Sequence, residues 1–209
     1  MLKKIAPWAG MAGAAVFPLS FTLQGWLRPG YSPVRRYVSE LSIGPWGWVQ
    51  IVNFMFLGLC LLVFALGISQ RFPRGAASRW GPRLLLAVAV CYFFSGPFVT
   101  DPLSMFSNQR SAHGMVHGIL GALVFSLSPV CCFVFLRRFR RDPSWRPLQT
   151  VTLFAGILMA VTVVLMKLAQ PQASPLNAFA GVIQRCSLLS FYAWIFIVAL
   201  HFRKGADTQ

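Results

Sequence analysis

The sequence predicts an all-α fold, a polytopic membrane protein with six transmembrane helices in one bundle. Hydrophobic residues make up 56% of the 209 residues and charged residues only 11%, against about 45–50% and about 25% in soluble domains. Six apolar runs are each about as long as a helix that crosses the hydrocarbon core of a bilayer. Charged residues gather between these runs, which is the pattern of membrane-flanking charge.

The six predicted spans follow one another with short connections. A span needs about 20 mostly apolar residues. The runs that meet this length are 5–27, 48–69, 82–100, 114–136, 148–168 and 182–202. Few residues lie between them, so we predict a single transmembrane domain over residues 1–209. The first run resembles a signal peptide, but it is long for one and lacks a cleavage site of small residues, which predicts an uncleaved span.

The distribution of basic residues predicts the orientation and the partners. Thirteen of the 19 Lys and Arg residues fall on one side of the six spans. Because cytoplasmic segments carry the excess of basic residues, both termini are predicted to be cytoplasmic. The net charge of +15 would also suit nucleic acid, but clusters between apolar runs favour lipid headgroups. We expect membrane lipids and no nucleic acid as partners, and we leave protein partners open.

The connection between the first and second spans predicts a short amphipathic outer helix. Ser32-Pro33 is a helix-start signal and Gly44-Pro45 is a stop signal. The apolar side chains between them recur every three to four residues, at Val34, Val38 and Leu41. Such a helix would lie on the outer membrane surface or be tucked under it.

Ionisable residues at the predicted outer end form the candidate functional site. The chain has only four acids and three histidines, and two of each lie at this end. Two histidines four residues apart project from one helix face, about one 5.4 Å turn from each other. The second of them should lie deeper in the membrane. The candidate catalytic residues are Glu40, Asp101, His113, His117 and Arg185.

The histidines, acids and arginine of this group suggest one hypothesis, a metal-dependent hydrolase or transferase acting on a lipid-linked substrate. Two imidazoles and a carboxylate can hold Zn²⁺ and leave a position for water, and here they would be His113, His117 and Asp101. Arg185 would stabilise a developing anion. Without a metal, a histidine paired with Asp101 would serve as a general base. Neither GxSxG nor HExxH is present, so no motif names the reaction.

A structural role is also open to each candidate residue. Arg36 lies four residues before Glu40 and can pair with it, and Asp101 can accept hydrogen bonds from its loop or pair with Arg185. Ionisable groups near a bilayer are costly and tend to mark function. The sequence therefore leaves two hypotheses, a lipid-linked enzyme or a non-catalytic lipid binder, small transporter or assembly partner with a structural polar cluster.

Several short motifs give the chain a family resemblance. They are 37–41 with Asn53, 98–102, His113-Gly114 with His117-Gly118, and 181–185. On these motifs the chain resembles the bacterial membrane-protein family called domain of unknown function 998, over almost its whole length. Val99 departs from the Phe-Pro-Thr-Asp form associated with the family. The resemblance implies a multi-pass protein of the bacterial cytoplasmic membrane, and it carries no activity and no catalytic residues.

Overall fold

The structure is a computed structural model. It describes residues 2–72, 79–102, 110–170 and 173–206, without the side chains of 205 and 206. The described residues form six α-helices and three 3₁₀ segments. The α-helices are α1 (Leu2–Leu27), α2 (Gly47–Arg71), α3 (Trp80–Phe94), α4 (Ala112–Arg141), α5 (Gln149–Ala169) and α6 (Ala180–Ala206). The 3₁₀ segments are Val38–Ser42, Arg146–Leu148 and Pro175–Phe179. The predicted all-α class is confirmed.

Five helical segments of the described chain are long and apolar enough to cross a membrane. They are α1, α2, α4, and the segments Arg146–Ala169 and Pro175–Lys204 that contain α5 and most of α6. The sixth, α3, is apolar but has only 15 residues. At 1.5 Å per residue it is about 22 Å long, which is less than the hydrocarbon thickness of about 30 Å.

The third predicted span, 82–100, is therefore only partly helical. α3 ends at Phe94, where the Ser95 hydroxyl donates to the carbonyl oxygen of Cys91 at 2.8 Å. Pro97 follows, and proline disfavours helical backbone in the residue before it and has no N–H to donate. The chain turns at this point, which brings Phe98 and Asp101 toward the start of α4.

The amphipathic helix predicted between the first two spans is reduced to the 3₁₀ segment Val38–Ser42. Val38 and Leu41 are buried as the spacing predicts, but Val34 is 43% exposed. The reason is that Arg185 of α6 binds the carbonyl oxygens of Pro33 and Arg36, and Arg28 after α1 binds those of Glu40 and Ile43. A continuous α-helix would need such oxygens for its own hydrogen bonds.

The six helices form a closed ring with a filled interior. Each helix packs mainly on its neighbours in the chain, and α6 returns to pack on α1. Phe17 of α1 is fully buried, and its ring centroid lies 5.3 Å from Phe54, 5.9 Å from Tyr92 and 5.2 Å from Tyr192. Successive ring contacts continue through the bundle along Phe191, Trp194, Phe135, Phe139, Trp145 and Phe72. Aromatic side chains thus fill the space that the helices enclose.

Candidate functional site

Arg185 of α6 binds the backbone of the α1–α2 connection, residues 28–46. Its Nη1 donates to the carbonyl oxygens of Pro33 at 2.6 Å, Arg36 at 2.9 Å and Gly181 at 3.1 Å. Its Nη2 donates to the phenol oxygen of Tyr31 at 2.6 Å. The planar guanidinium suits this task because it presents several donors in a fixed fork. The charge of Arg185 is therefore used to hold the connection on α6.

The residues before Arg185 complete this attachment. The side-chain oxygen of Gln184 accepts from the Val38 N–H at 2.7 Å, and the Val182 N–H donates to the carbonyl oxygen of Val34 at 3.1 Å. A Cβ on Gly181 would overlap backbone carbonyl oxygens of the connection, so this position requires glycine. Of the residues in this motif, only Arg185 is predicted from the sequence to belong to the site. Gln184 could have been found from the sequence, because it is a polar residue at the start of an apolar span.

The end of α1 binds the same connection from the other side. Nη1 of Arg28 donates to the Glu40 carbonyl oxygen at 3.0 Å, and its Nη2 donates to that of Ile43 at 2.6 Å. The side-chain amide of Gln24 donates to the Trp46 carbonyl oxygen at 2.8 Å. Both ends of the chain's helical ring, α1 and α6, thus fix one short segment.

Glu40 is buried inside this attachment, with 4% of its surface exposed. One carboxylate oxygen accepts from the Tyr37 N–H at 3.0 Å, and the other lies 3.3 Å from Nη1 of Arg36. Burial raises the pKa of Tyr31 and of Tyr37 above the ordinary value, although Arg185 opposes the shift at Tyr31. Both phenols are therefore neutral at physiological pH, and Tyr31 donates to the Tyr37 carbonyl oxygen at 2.9 Å.

Asp101 lies at the start of α4, where it fixes the helix cap. One of its carboxylate oxygens accepts from the Ser111 hydroxyl at 2.8 Å and the other from the Ser111 N–H at 2.9 Å. Ser111 is the N-cap residue, and its hydroxyl oxygen accepts from the Gly114 N–H at 2.9 Å. A carboxylate at a helix N-terminus is also favoured by the helix dipole. A Cβ on Gly114 would overlap the Asp101 carboxylate.

His113 and His117 share a helix face, as their spacing predicts, and both contact Phe98. The His113 ring is exposed, and its centroid lies 5.5 Å from that of Phe98. Nδ1 of His117 lies 2.7 Å from the Phe98 carbonyl oxygen. The His117 ring is only 8% exposed and meets Phe54 edge-on at 5.9 Å. His117 thus ties the turn after α3 to α4.

The five candidate residues lie in two separate groups. Glu40 and Arg185 belong to the attachment of the α1–α2 connection, whereas Asp101, His113 and His117 belong to the junction of α3 and α4. Between the two groups the described residues form no direct hydrogen bond, ion pair or ring contact. The structure places each group against its own backbone neighbours.

The predicted zinc ligands do not come together. In the part of the chain that the structure describes, no group of three or more His, Cys, Asp or Glu side chains could hold a metal ion. Asp101 points both oxygens at Ser111, and His117 points Nδ1 at the Phe98 carbonyl. His113, His117 and Asp101 are therefore not grouped as a metal site within the described residues.

Fold and surface together define a class of protein. Five long apolar helices, a shorter sixth one and exposed apolar side chains along them are those of a multi-pass helical membrane protein. The family model described as protein of unknown function DUF998 matches residues 11–201, so the chain belongs to this family. No curated protein and no solved structure matches the chain significantly.

Proposed function

We propose that the protein is a non-catalytic membrane protein that binds membrane lipids, and that its polar outer end is structural. One observation carries this proposal: the polar groups of the candidate site are bound to the chain's own backbone and caps. The four hydrogen bonds of the Arg185 guanidinium hold backbone oxygens and the Tyr31 phenol. Both oxygens of Asp101 accept from Ser111.

These bonds argue against the hydrolase or transferase hypothesis. A general base or metal ligand needs a lone pair directed at the reacting group or the ion. An arginine that stabilises a developing anion needs donors directed at it. Each carboxylate oxygen of Asp101 already accepts one hydrogen bond from Ser111, and the Arg185 guanidinium donates to the α1–α2 connection. His113 alone keeps an exposed ring.

The packed interior argues against a small transporter. Ion and substrate pathways through a membrane are marked by ionisable residues that face a cavity. Here the centre of the bundle is filled by rings, and the Tyr92 and Tyr192 hydroxyls bond to each other at 2.9 Å. The exposed apolar side chains along the helices support lipid as the partner.

Exposed tryptophans support contact with lipid at both membrane surfaces and the assignment of α1 as a span. Trp8 and Trp26 of α1 are both exposed. Their separation of 18 residues is about 27 Å along a helix, close to the hydrocarbon thickness. Trp46 and Trp80 are also exposed, at the start of α2 and α3. Tryptophan is enriched at membrane–water interfaces.

We further propose that all six helices span the bilayer of a bacterial cytoplasmic membrane with both termini in the cytoplasm. α3 would do so together with the turn through Phe98, which adds length to its 15 helical residues. The excess of basic residues at one end supports the orientation.

The test is the lipid and hydrolysis analysis of protein purified in mild detergent from a bacterial membrane. We expect phospholipid to remain bound at about one or more molecules per chain and to stay chemically intact during incubation. His113→Ala should change neither result, and Met115→Ala, an exposed residue on the same helix, is the matched control. Loss of all bound lipid, or release of lipid fragments that His113→Ala abolishes and Met115→Ala does not, would overturn the proposal.

A further inference from the structure

A groove of about 310 Å³ lies between α2 and α3, next to the ends that residues 73–78 join. Two arginines, Arg79 and Arg83, line it where α3 begins. Apolar side chains line the part farther from the connection, among them Ala65, Leu66 and Leu86. The groove is thus basic at the end near the connection and apolar farther from it.

The two arginines have no carboxylate partner within residues 2–72, 79–102, 110–170 and 173–206. The ion pairs of this part of the chain, which involve Arg36 and Arg138, lie elsewhere. Arg79 and Arg83 are exposed, and the Arg83 guanidinium lies 5.6 Å from the ring centroid of Trp80. An exposed tryptophan beside an arginine fits the headgroup level of a bilayer. The charge of the groove is therefore complementary to an anion at that level.

The apolar part runs along α2, so it would accept a segment of a lipid chain. The α2 residues that line the groove extend from Ala65 to Ser69, which is about 6 Å along the helix axis, and Phe72 follows the end of the helix. The hydroxyl of Ser69 donates to the Leu66 carbonyl oxygen at 2.7 Å, so it adds no free donor to this wall. A soluble phosphate would use only the arginines and leave the apolar wall exposed.

We infer that this groove binds an anionic phospholipid, with the phosphate at Arg79 and Arg83 and an acyl chain along Ala65, Leu66 and Leu86. Basic pockets between transmembrane helices are suited to acidic lipid headgroups, and guanidinium groups match the geometry of phosphate oxygens. The inference rests on the proposed lipid-binding function and names the lipid class and its place.

The experiment is a native mass spectrometry titration of the full chain with phosphatidylglycerol and, separately, with phosphatidylcholine. The variants are the double substitution Arg79→Gln/Arg83→Gln and the groove-filling substitution Leu66→Trp. The matched control is Arg137→Gln/Arg140→Gln, which removes two exposed arginines from α4 near its end. The dissociation constant of the first bound lipid is measured for each protein.

We expect the unchanged protein to bind phosphatidylglycerol more tightly than phosphatidylcholine. The double substitution should weaken the first phosphatidylglycerol by about 25-fold, since each arginine near an anionic lipid is worth about a factor of five. Leu66→Trp should weaken it without a change in charge, and the α4 control should change it by less than about twofold, because its arginines lie outside the groove.

Two results would overturn the inference and leave the proposed function standing. One is lipid binding that Arg79→Gln/Arg83→Gln and Leu66→Trp both leave unchanged. The other is an equal loss in the α4 control, which would show that net charge alone attracts the lipid. Failure to bind either phospholipid would instead contradict the proposed function itself.

Discussion

Two glycines of α4 at the candidate site differ in the space that their neighbours leave for a side chain. Gly114 and Gly118 are one turn apart on the same helix. A Cβ on Gly114 would overlap the carboxylate of Asp101, whereas a Cβ on Gly118 would meet no heavy atom within 4 Å. The first glycine therefore makes room for the cap of α4, and the second has open space where a Cβ would lie.

Alanine at these two positions should have opposite effects on stability. We expect Gly114→Ala to lower the free energy of unfolding by about 1–3 kcal/mol, because the Asp101–Ser111 cap must move. Gly118→Ala should leave it unchanged or raise it by about 1 kcal/mol through helix propensity. Thermal unfolding in one detergent measures both. Equal destabilisation by the two substitutions would show that Asp101 does not lie against α4 as described.

Tyr31 should make the stability of the protein sensitive to alkaline pH. Burial raises its pKa above the ordinary value of 10.0, so folding disfavours the ionised phenol. The stabilisation is fully present below about pH 10 and is lost as pH rises through the pKa of the folded state. Unfolding free energies measured from pH 8 to pH 11 should fall less steeply in Tyr31→Phe than in the unchanged protein. Identical slopes would contradict a buried, neutral phenol beside Arg185.

At the scale of elements, some features of the α1–α2 connection can be predicted from the sequence and others cannot. The burial of Val38 and Leu41 follows from their spacing, and so does the ion pair of Glu40 with Arg36. The absence of a regular α-helix does not, because it depends on donors from other elements. Gln184, for instance, binds Val38 across 146 residues of sequence. Local patterns contain no information about such distant partners.

The end of α3 illustrates a second limit. Hydrophobicity alone extends the third span to residue 100, but the helix ends at Phe94. Pro97 was visible in the sequence, and its effect on the preceding backbone is sufficient to explain the turn. The contact of His113 and His117 with Phe98 follows from this turn. The histidines' common face could thus be predicted from spacing, whereas their partner could not.

Removal of Arg185 should release the α1–α2 connection. Arg185→Gln replaces a guanidinium that binds three carbonyl oxygens and a phenol, and hydrogen bonds to charged groups contribute about 1.5–3 kcal/mol each. We expect trypsin to cleave after the exposed residues Arg35 and Arg36 at least about tenfold faster in the variant. Arg110→Gln, a change at another exposed arginine, should leave the rate unchanged. Equal cleavage rates in all three proteins would contradict the attachment.

At the scale of the whole molecule, ring closure and aromatic packing explain why the candidate residues do not meet. α6 packs on α1, and the space inside the ring is filled by side chains such as Phe17 and Trp194. In the part of the chain that the structure describes, Asp101, His117 and Arg185 bind nearby backbone groups instead of one another. The six apolar runs could be predicted from length and hydropathy, but this filling is a property of distant contacts.

Reporter fusions should establish the orientation of the bundle. We expect reporters fused after Gln70 and Arg141 to be cytoplasmic and one fused after Ser174 to be outside, because the excess of Lys and Arg faces the cytoplasm. A pair of reporters, one active only inside and one only outside, measures this at each position. The reverse pattern would place the α1–α2 connection in the cytoplasm and contradict the proposed orientation.

The metal content of the purified protein tests most directly whether the polar outer end is structural. Element analysis by mass spectrometry after dialysis against a weak chelator should find no transition metal near one atom per chain, because Asp101 and His117 are bound to Ser111 and Phe98. His113→Ala and Asp101→Asn should leave that content unchanged. Zinc at one atom per chain, lost in both variants and retained in Met115→Ala, would contradict the account.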